Sequence, residues 1–120
     1  MKIIVTGATG FIGKALCTRL IALNHKIVVL SRNPERASET FDKNGIFLPL
    51  RTEDKDYLIP YLNQADAVIN LAGENLSSRP WTKKQKRRIK SSRIATTRFL
   101  VDSIAKTDNK PKVFLQGSAI

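Results

Sequence analysis

The stretch Lys2-Ile3-Ile4-Val5-Thr6-Gly7-Ala8-Thr9-Gly10-Phe11-Ile12-Gly13 decides the fold. Lys2 to Thr6 is a short apolar run, suited to a strand buried on both faces. Three glycines follow at once. Behind them Ile12, Leu16, Leu20 and Leu23 recur at helical spacing, which predicts a first helix of about three turns. A glycine triplet alone is weak evidence; one set between a buried strand and an amphipathic helix is strong. Gly7 would allow the tight turn, Gly10 would let a phosphate approach the backbone, and Gly13 would let the helix pack close to the strand. The backbone N–H groups of Phe11 and Ile12 would then face an anion at the positive end of the helix. The competing reading is a glycine-rich turn with no ligand.

Downstream, short β-branched runs alternate with longer helical patterns, as in βαβ units of a parallel sheet. Asn24 sits where the first helix should end, and asparagine tolerates the left-handed cap conformation. Strands are predicted at Lys26 to Leu30, Ile46 to Leu50 and Ala67 to Leu71, with Val113-Phe114-Leu115 opening a fifth. Pro49 weakens the third and suits a sheet edge. Helices are expected over Pro34 to Phe41, Asp54 to Leu62 and about Thr82 to Ile104, the last with Ile89, Ala95, Phe99 and Ile104 roughly on one face. Right-handed crossovers favour the sheet order 3-2-1-4-5. The fold class is therefore α/β, a Rossmann-type doubly wound parallel sheet, reading as truncated after its fifth strand.

The 120 residues fit one dinucleotide-binding domain over 1–120. Apolar content of 42% and charged content of 26% are ordinary for a globular protein. No run approaches a membrane span, and the N-terminus does not read as a signal peptide. The single cysteine, Cys17, excludes an internal disulfide and fits a reducing compartment, so the cytoplasm is expected. Cys17 reads as packing rather than nucleophile, and His25, the one histidine, as a turn residue. No cluster has metal-ligand spacing. The net charge of +11 suits anionic partners. Nine basic residues and no acidic one lie between Arg79 and Arg98. That run lacks interleaved aromatics and any nucleic-acid reading motif, so a solvated helix face is preferred to a nucleic-acid surface.

At the end of the second strand, where NAD-binding folds usually place an acid on the adenosine ribose, stand Ser31 and Arg32. An acid would repel a 2′-phosphate; a hydroxyl and a guanidinium would bind it. NADP(H) is thus expected over NAD(H).

The string Thr6 to Gly13 resembles the fingerprint of extended short-chain dehydrogenases. With Asn70-Leu71-Ala72-Gly73-Glu74-Asn75, Arg79-Pro80-Trp81-Thr82 and Ser92-Arg93-Ile94-Ala95-Thr96-Thr97, the chain resembles the NAD-dependent epimerase/dehydratase family, in the YfcH-like branch sometimes mislabelled as cell-division inhibitor SulA. The resemblance covers the whole chain. It implies cofactor contacts from Gly7, Thr9, Gly10, Phe11, Ile12 and Gly13, from Leu71, Ala72 and Gly73 at the tip of the fourth strand, and from Arg93 toward the phosphates. It implies that Trp81 anchors its loop, and that Ser118 hydrogen-bonds the oxygen of an unknown small-molecule substrate. The usual partners of that hydroxyl, a Tyr and a Lys, and the substrate domain are expected beyond Ile120. The branch itself departs from the usual Tyr-x-x-x-Lys pattern. Many relatives carry an acid near the adenine at the end of the third strand; this chain has Leu50-Arg51-Thr52.

The function implied is the NADP(H)-binding portion of an epimerase-like oxidoreductase. The alternatives are a non-catalytic NADP-binding or sensing module, and a basic-helix nucleic-acid binder. The 120 residues alone are expected to be marginally stable and catalytically silent, with the apolar edge at Val113 to Leu115 open to self-association.

Overall fold

The structure, a computed structural model, describes residues 1–54, 56–71 and 83–117, with side chains from 93 onward in the last stretch. Five parallel strands, β1 (Lys2–Thr6), β2 (Lys26–Ser31), β3 (Ile46–Pro49), β4 (Ala67–Asn70) and β5 (Val113–Gln116), form one sheet. Its order is β3-β2-β1-β4-β5, as the crossover rule predicts. β3, with Pro49, takes an edge. The helices are α1 (Phe11–Ala22), α2 (Pro34–Thr40), α3 (Ile59–Leu62) and α4 (Lys83–Ala105).

Strand side chains alternate between two cores because successive residues point to opposite faces. Ile3, Val5, Ile27, Val29, Ala67 and Ile69 pack beneath α1 and α2 with Cys17, Ala37 and Phe41. Ile4, Val28, Leu30 and Val68 pack on the other face with Leu58, Leu62, Phe99 and Leu100 of the α3–α4 layer. The near-continuous apolar strands of the sequence are thus explained: each must satisfy helices on both sides.

The structure corrects three details of the sequence reading. On α1, Ile12 is 69% and Leu23 52% exposed, while the buried residues are Gly13 and Cys17. Close helix–sheet approach selects small residues there, with Leu16, Leu20 and Ile21 packing at the flanks. On α4, Ala95 is exposed, and the buried line runs Thr96, Phe99, Leu100 and Ser103, continued past the helix end by Thr107. Two of the buried hydroxyls bond back to the helix backbone: Ser103 Oγ donates to the Phe99 carbonyl at 2.7 Å and Thr107 Oγ1 to the Ser103 carbonyl at 2.8 Å. The side chain of Ile89 lies outside the described residues. Third, α3 is one turn rather than a helix from Asp54, because Pro60 lacks an N–H and fits only a first turn.

The turns follow the sequence more closely. Asn24 adopts φ 65°, the left-handed conformation expected after α1. His25 sits in that turn, its Nδ1 3.1 Å from the Met1 amine. Cys17 is fully buried, and burial pushes its thiol up to about 11. On β5, Val113, Phe114 and Leu115 are 43%, 36% and 54% exposed, and no described strand pairs with its outer edge. No described helix is long and apolar enough to cross a membrane.

Candidate functional site

The C-terminal ends of β1 and β4 diverge where the chain order of the sheet reverses: β1 leads to a helix on one face, and β4 connects to a helix on the other. Ligands of open α/β sheets bind in the crevice outside such a switch point. The glycine loop lies there. Gly7 has φ 73°, a left-handed turn that a side chain would strain. A Cβ built on Gly13 would overlap the Gly7 carbonyl oxygen and come within 2.9 Å of Ala8 Cα. Gly13 therefore has the packing role expected of it. Gly10 is exposed, and an added Cβ would meet only the Gly7 oxygen at 3.5 Å.

The start of α1 is chemically open. Gly10 is the N-cap, no side chain caps the helix, and no acid stands in its first turn. The first intrahelical bond runs from the Lys14 N–H to the Gly10 carbonyl at 2.8 Å. The N–H groups of Phe11 and Ile12 precede it, at the positive end of the helix. Thr9 and Phe11 are exposed on the same loop, Phe11 at 96%. By contrast α2 is closed: the Asn33 side chain accepts from the Arg36 N–H at 3.1 Å, and Pro34 occupies the first turn.

Ser31 ends β2 and is half-buried; its hydroxyl oxygen accepts from the Asn33 N–H at 3.1 Å. Arg32 follows and is exposed. Leu71 follows β4, half-buried, with its N–H donating to the Thr6 carbonyl at 3.0 Å. Arg93 is half-buried on α4. It lies one turn ahead of Thr97, whose hydroxyl receives Asn70 Nδ2 at 3.1 Å. Residues four apart share a helix face, so Arg93 stands above the sheet's C-terminal edge on the side of β4. Ala72, Gly73, Trp81 and Ser118 lie outside the described residues. Among the described residues no group of three His, Cys, Asp or Glu is placed to hold a metal.

The floor of the crevice is a polar cluster that the sequence reading did not single out. Asn70, 1% exposed, accepts from the Thr6 hydroxyl and donates to Thr97 Oγ1 and, at 2.9 Å, to Gln116 Oε1. One amide thereby ties β1, β4, β5 and α4 together directly below the loop. The available signal was a polar residue closing the buried strand Ala67-Val68-Ile69-Asn70, since a buried amide is retained only with partners. Beside β3, Tyr57 donates to the Pro49 carbonyl at 2.8 Å and receives the Arg51 N–H at 3.2 Å. Burial raises its phenol pKa above the ordinary value, partly countered by the bond from Arg51.

Comparison with known proteins agrees with this geometry. The NAD dependent epimerase/dehydratase family matches residues 3–120. The epimerase family protein YfhF of Bacillus subtilis is 39% identical over 122 residues, covering 100% of this chain and 38% of that protein. Human SDR39U1, also described as an epimerase family protein, is 32% identical over 117 residues, covering 96% of the chain and 36% of the relative. The crystal structure of human SDR39U1 isoform 2 with NADPH superposes with a TM-score of 0.73 at 28% identity, over 100% of this chain and 37% of that one. The chain thus spans less than two-fifths of the length of these relatives. A glycine turn between a central buried strand and an uncapped helix, in a 3-2-1-4-5 sheet matched along residues 3–120, makes this chain a member of the NAD dependent epimerase/dehydratase family.

Proposed function

We propose that the chain binds NADP(H) across the C-terminal edge of its sheet and is the cofactor-binding part of an epimerase-like oxidoreductase of the extended short-chain dehydrogenase type. The observation that carries this reading is the open start of α1, which Gly7 and Gly13 set against β1. The N–H groups of Phe11 and Ile12 hold the diphosphate, and Thr9, Gly10 and Leu71 line its path, with Ala72 and Gly73 beyond. Arg93 adds a cation from α4.

Ser31 and Arg32 hold the 2′-phosphate. The Ser31 oxygen is used as an acceptor by Asn33, which leaves its O–H to donate to phosphate, and Arg32 supplies charge. No acid stands at this strand end to repel a third phosphate group. The NADPH in the structure of the human relative supports the same reading.

When bound, the nicotinamide supplies a hydride acceptor or donor. This chain's residues bind and orient it; Ser118 is the candidate hydroxyl for holding a substrate oxygen. This chain spans less than two-fifths of those relatives; in this reading the remaining strands, the proton-transfer groups and the substrate domain belong to length beyond it. A lone buried thiol suits the reducing cytoplasm.

Fluorescence titration with NADPH and NADH tests the proposal. NADPH should bind at least about tenfold more tightly, the scale of one charge-assisted contact. Equal affinities would remove the role of Ser31 and Arg32, and binding of neither would end the reading.

A further inference from the structure

The strand end beside Ser31 and Arg32 carries another cation that the reading above leaves unused. β3 runs parallel to β2 with Pro49 paired to Ser31. The ladder continues past the strand, because the Leu50 N–H donates to the Ser31 carbonyl at 2.9 Å. Arg32 and Leu50 are therefore level, and Arg51 emerges one residue further along, one strand spacing (about 4.8 Å) to the side. The side-chain phase is also set. Phe47 packs against the α1–α2 core, and Leu48 and Leu50 against the opposite one. Alternation returns Arg51 to the side of Pro49 and Ser31.

The backbone that carries Arg51 is held in place. The Tyr57 hydroxyl bridges the Pro49 carbonyl and the Arg51 N–H. The Tyr57 ring stacks on buried Phe99 with centroids 5.7 Å apart. The Arg51 side chain is exposed and makes no ion pair among the described residues. Glu53 and Asp54 follow in the same loop and reduce the local field without closing on the guanidinium.

A phosphate monoester carries about −1.5 to −2 charge at neutral pH, more than one guanidinium neutralises. We propose that Arg51 is a second cation for the 2′-phosphate of NADP(H), reaching it from the neighbouring strand on the side of Ser31, and that Tyr57 is the positioning residue that holds Arg51 there. This rests on the NADP(H) reading of the site. It replaces an acid-to-adenine contact at this strand end with a cation-to-phosphate contact, and so adds a specificity determinant outside the β2 terminus.

The test uses the 120-residue chain with adenosine 2′,5′-bisphosphate and adenosine 5′-monophosphate as probes, titrated calorimetrically. The two differ only in the 2′-phosphate. Arg51→Gln should weaken the bisphosphate about tenfold and leave the monophosphate unchanged. Arg51→Lys should recover part of the loss, since it restores charge but not the planar fork. Tyr57→Phe keeps the stack on Phe99 and should weaken the bisphosphate about two- to fivefold, again without changing the monophosphate. An Arg51→Gln protein with the wild-type ratio of the two affinities overturns the proposal, as does an equal loss for both probes. A wild-type chain that does not prefer the bisphosphate overturns the NADP(H) reading and this proposal together, whereas failure of the variants alone leaves the former standing.

Discussion

Gly13→Ala tests how closely α1 is seated on the glycine loop. The new methyl would overlap the Gly7 carbonyl oxygen and lie 2.9 Å from both Ala8 Cα and the Gly7 carbonyl carbon. All three are backbone atoms of the turn, so no side chain can swing aside. Either α1 lifts off the sheet or the turn at Gly7 opens. Overpacking of this kind costs about 1–3 kcal/mol. Alanine's better helix propensity returns at most about 1 kcal/mol, so the net loss should be about 1–2 kcal/mol. For a domain of this size that is roughly 3–10 °C in Tm. Cofactor binding should fall as well, because either displacement moves the start of α1, whose N–H groups are proposed to hold the diphosphate. NADPH affinity should fall at least about tenfold. Ala15→Gly is the control. Ala15 is exposed on the same helix, so its replacement should cost about 1 kcal/mol by propensity alone and leave affinity intact. Thermal denaturation and NADPH titration of both variants decide the matter. A Gly13→Ala protein as stable as wild type, binding NADPH equally well, would refute the reasoning.

Three further outcomes follow from other parts of the molecule. Asn70→Leu removes the partner of Thr6, Thr97 and Gln116 beneath the site; urea unfolding should show a loss of about 2–4 kcal/mol, and a loss below about 1 kcal/mol would mean the cluster holds little together. Burial raises the Cys17 thiol from 9.0 to about 11 and moves the Tyr57 phenol in the same direction. Both groups keep their protons more tightly folded than unfolded, so stability should be complete below about pH 9 and decline toward pH 11, by up to about 2–3 kcal/mol for Cys17; Cys17→Ala should flatten that decline, and an unchanged slope would contradict the assignment. Leu115→Lys, at a position 54% exposed on the sheet edge, should alter stability by no more than about 0.5 kcal/mol while reducing concentration-dependent association in size-exclusion chromatography; identical elution of the two proteins would argue against β5 as a self-association edge.

The sheet was legible in the sequence because its signals are local and redundant. Each strand is an apolar run closed by turn residues, and the handedness of crossovers orders the runs once they are parallel. The glycine loop was legible for the same reason: Gly7 meets a positive φ and Gly13 a close approach, while the place of Gly10 rests on the cofactor reading. The helix faces were not. Periodicity weights large apolar residues, yet α1 meets the sheet through Gly13 and Cys17, and α4 through Thr96 and Ser103 beside Phe99 and Leu100. Where two elements approach closely, small side chains win, and hydrophobicity then marks the wrong line. Ile12 and Leu23 stand exposed as a result. The Asn70 cluster was hidden for another reason: its four side chains are separated by up to 110 positions in the chain, from Thr6 to Gln116, and no local pattern links them. The reading of Ser31 and Arg32 rested on position relative to the glycines, and β2 does end at Ser31.

The placement of β1 in the middle of the sheet bears on how the chain is made. Its first neighbour pairs Lys2 with Lys26, and its second pairs Ile3 with Ala67. β1 is therefore flanked on both sides only once Ala67–Asn70 has been made. At ribosomal speeds of about 5–20 residues per second, several seconds pass before β4 has even been synthesised. Throughout that interval this apolar strand has at most one companion, which makes it a natural point of engagement for a chaperone acting during translation.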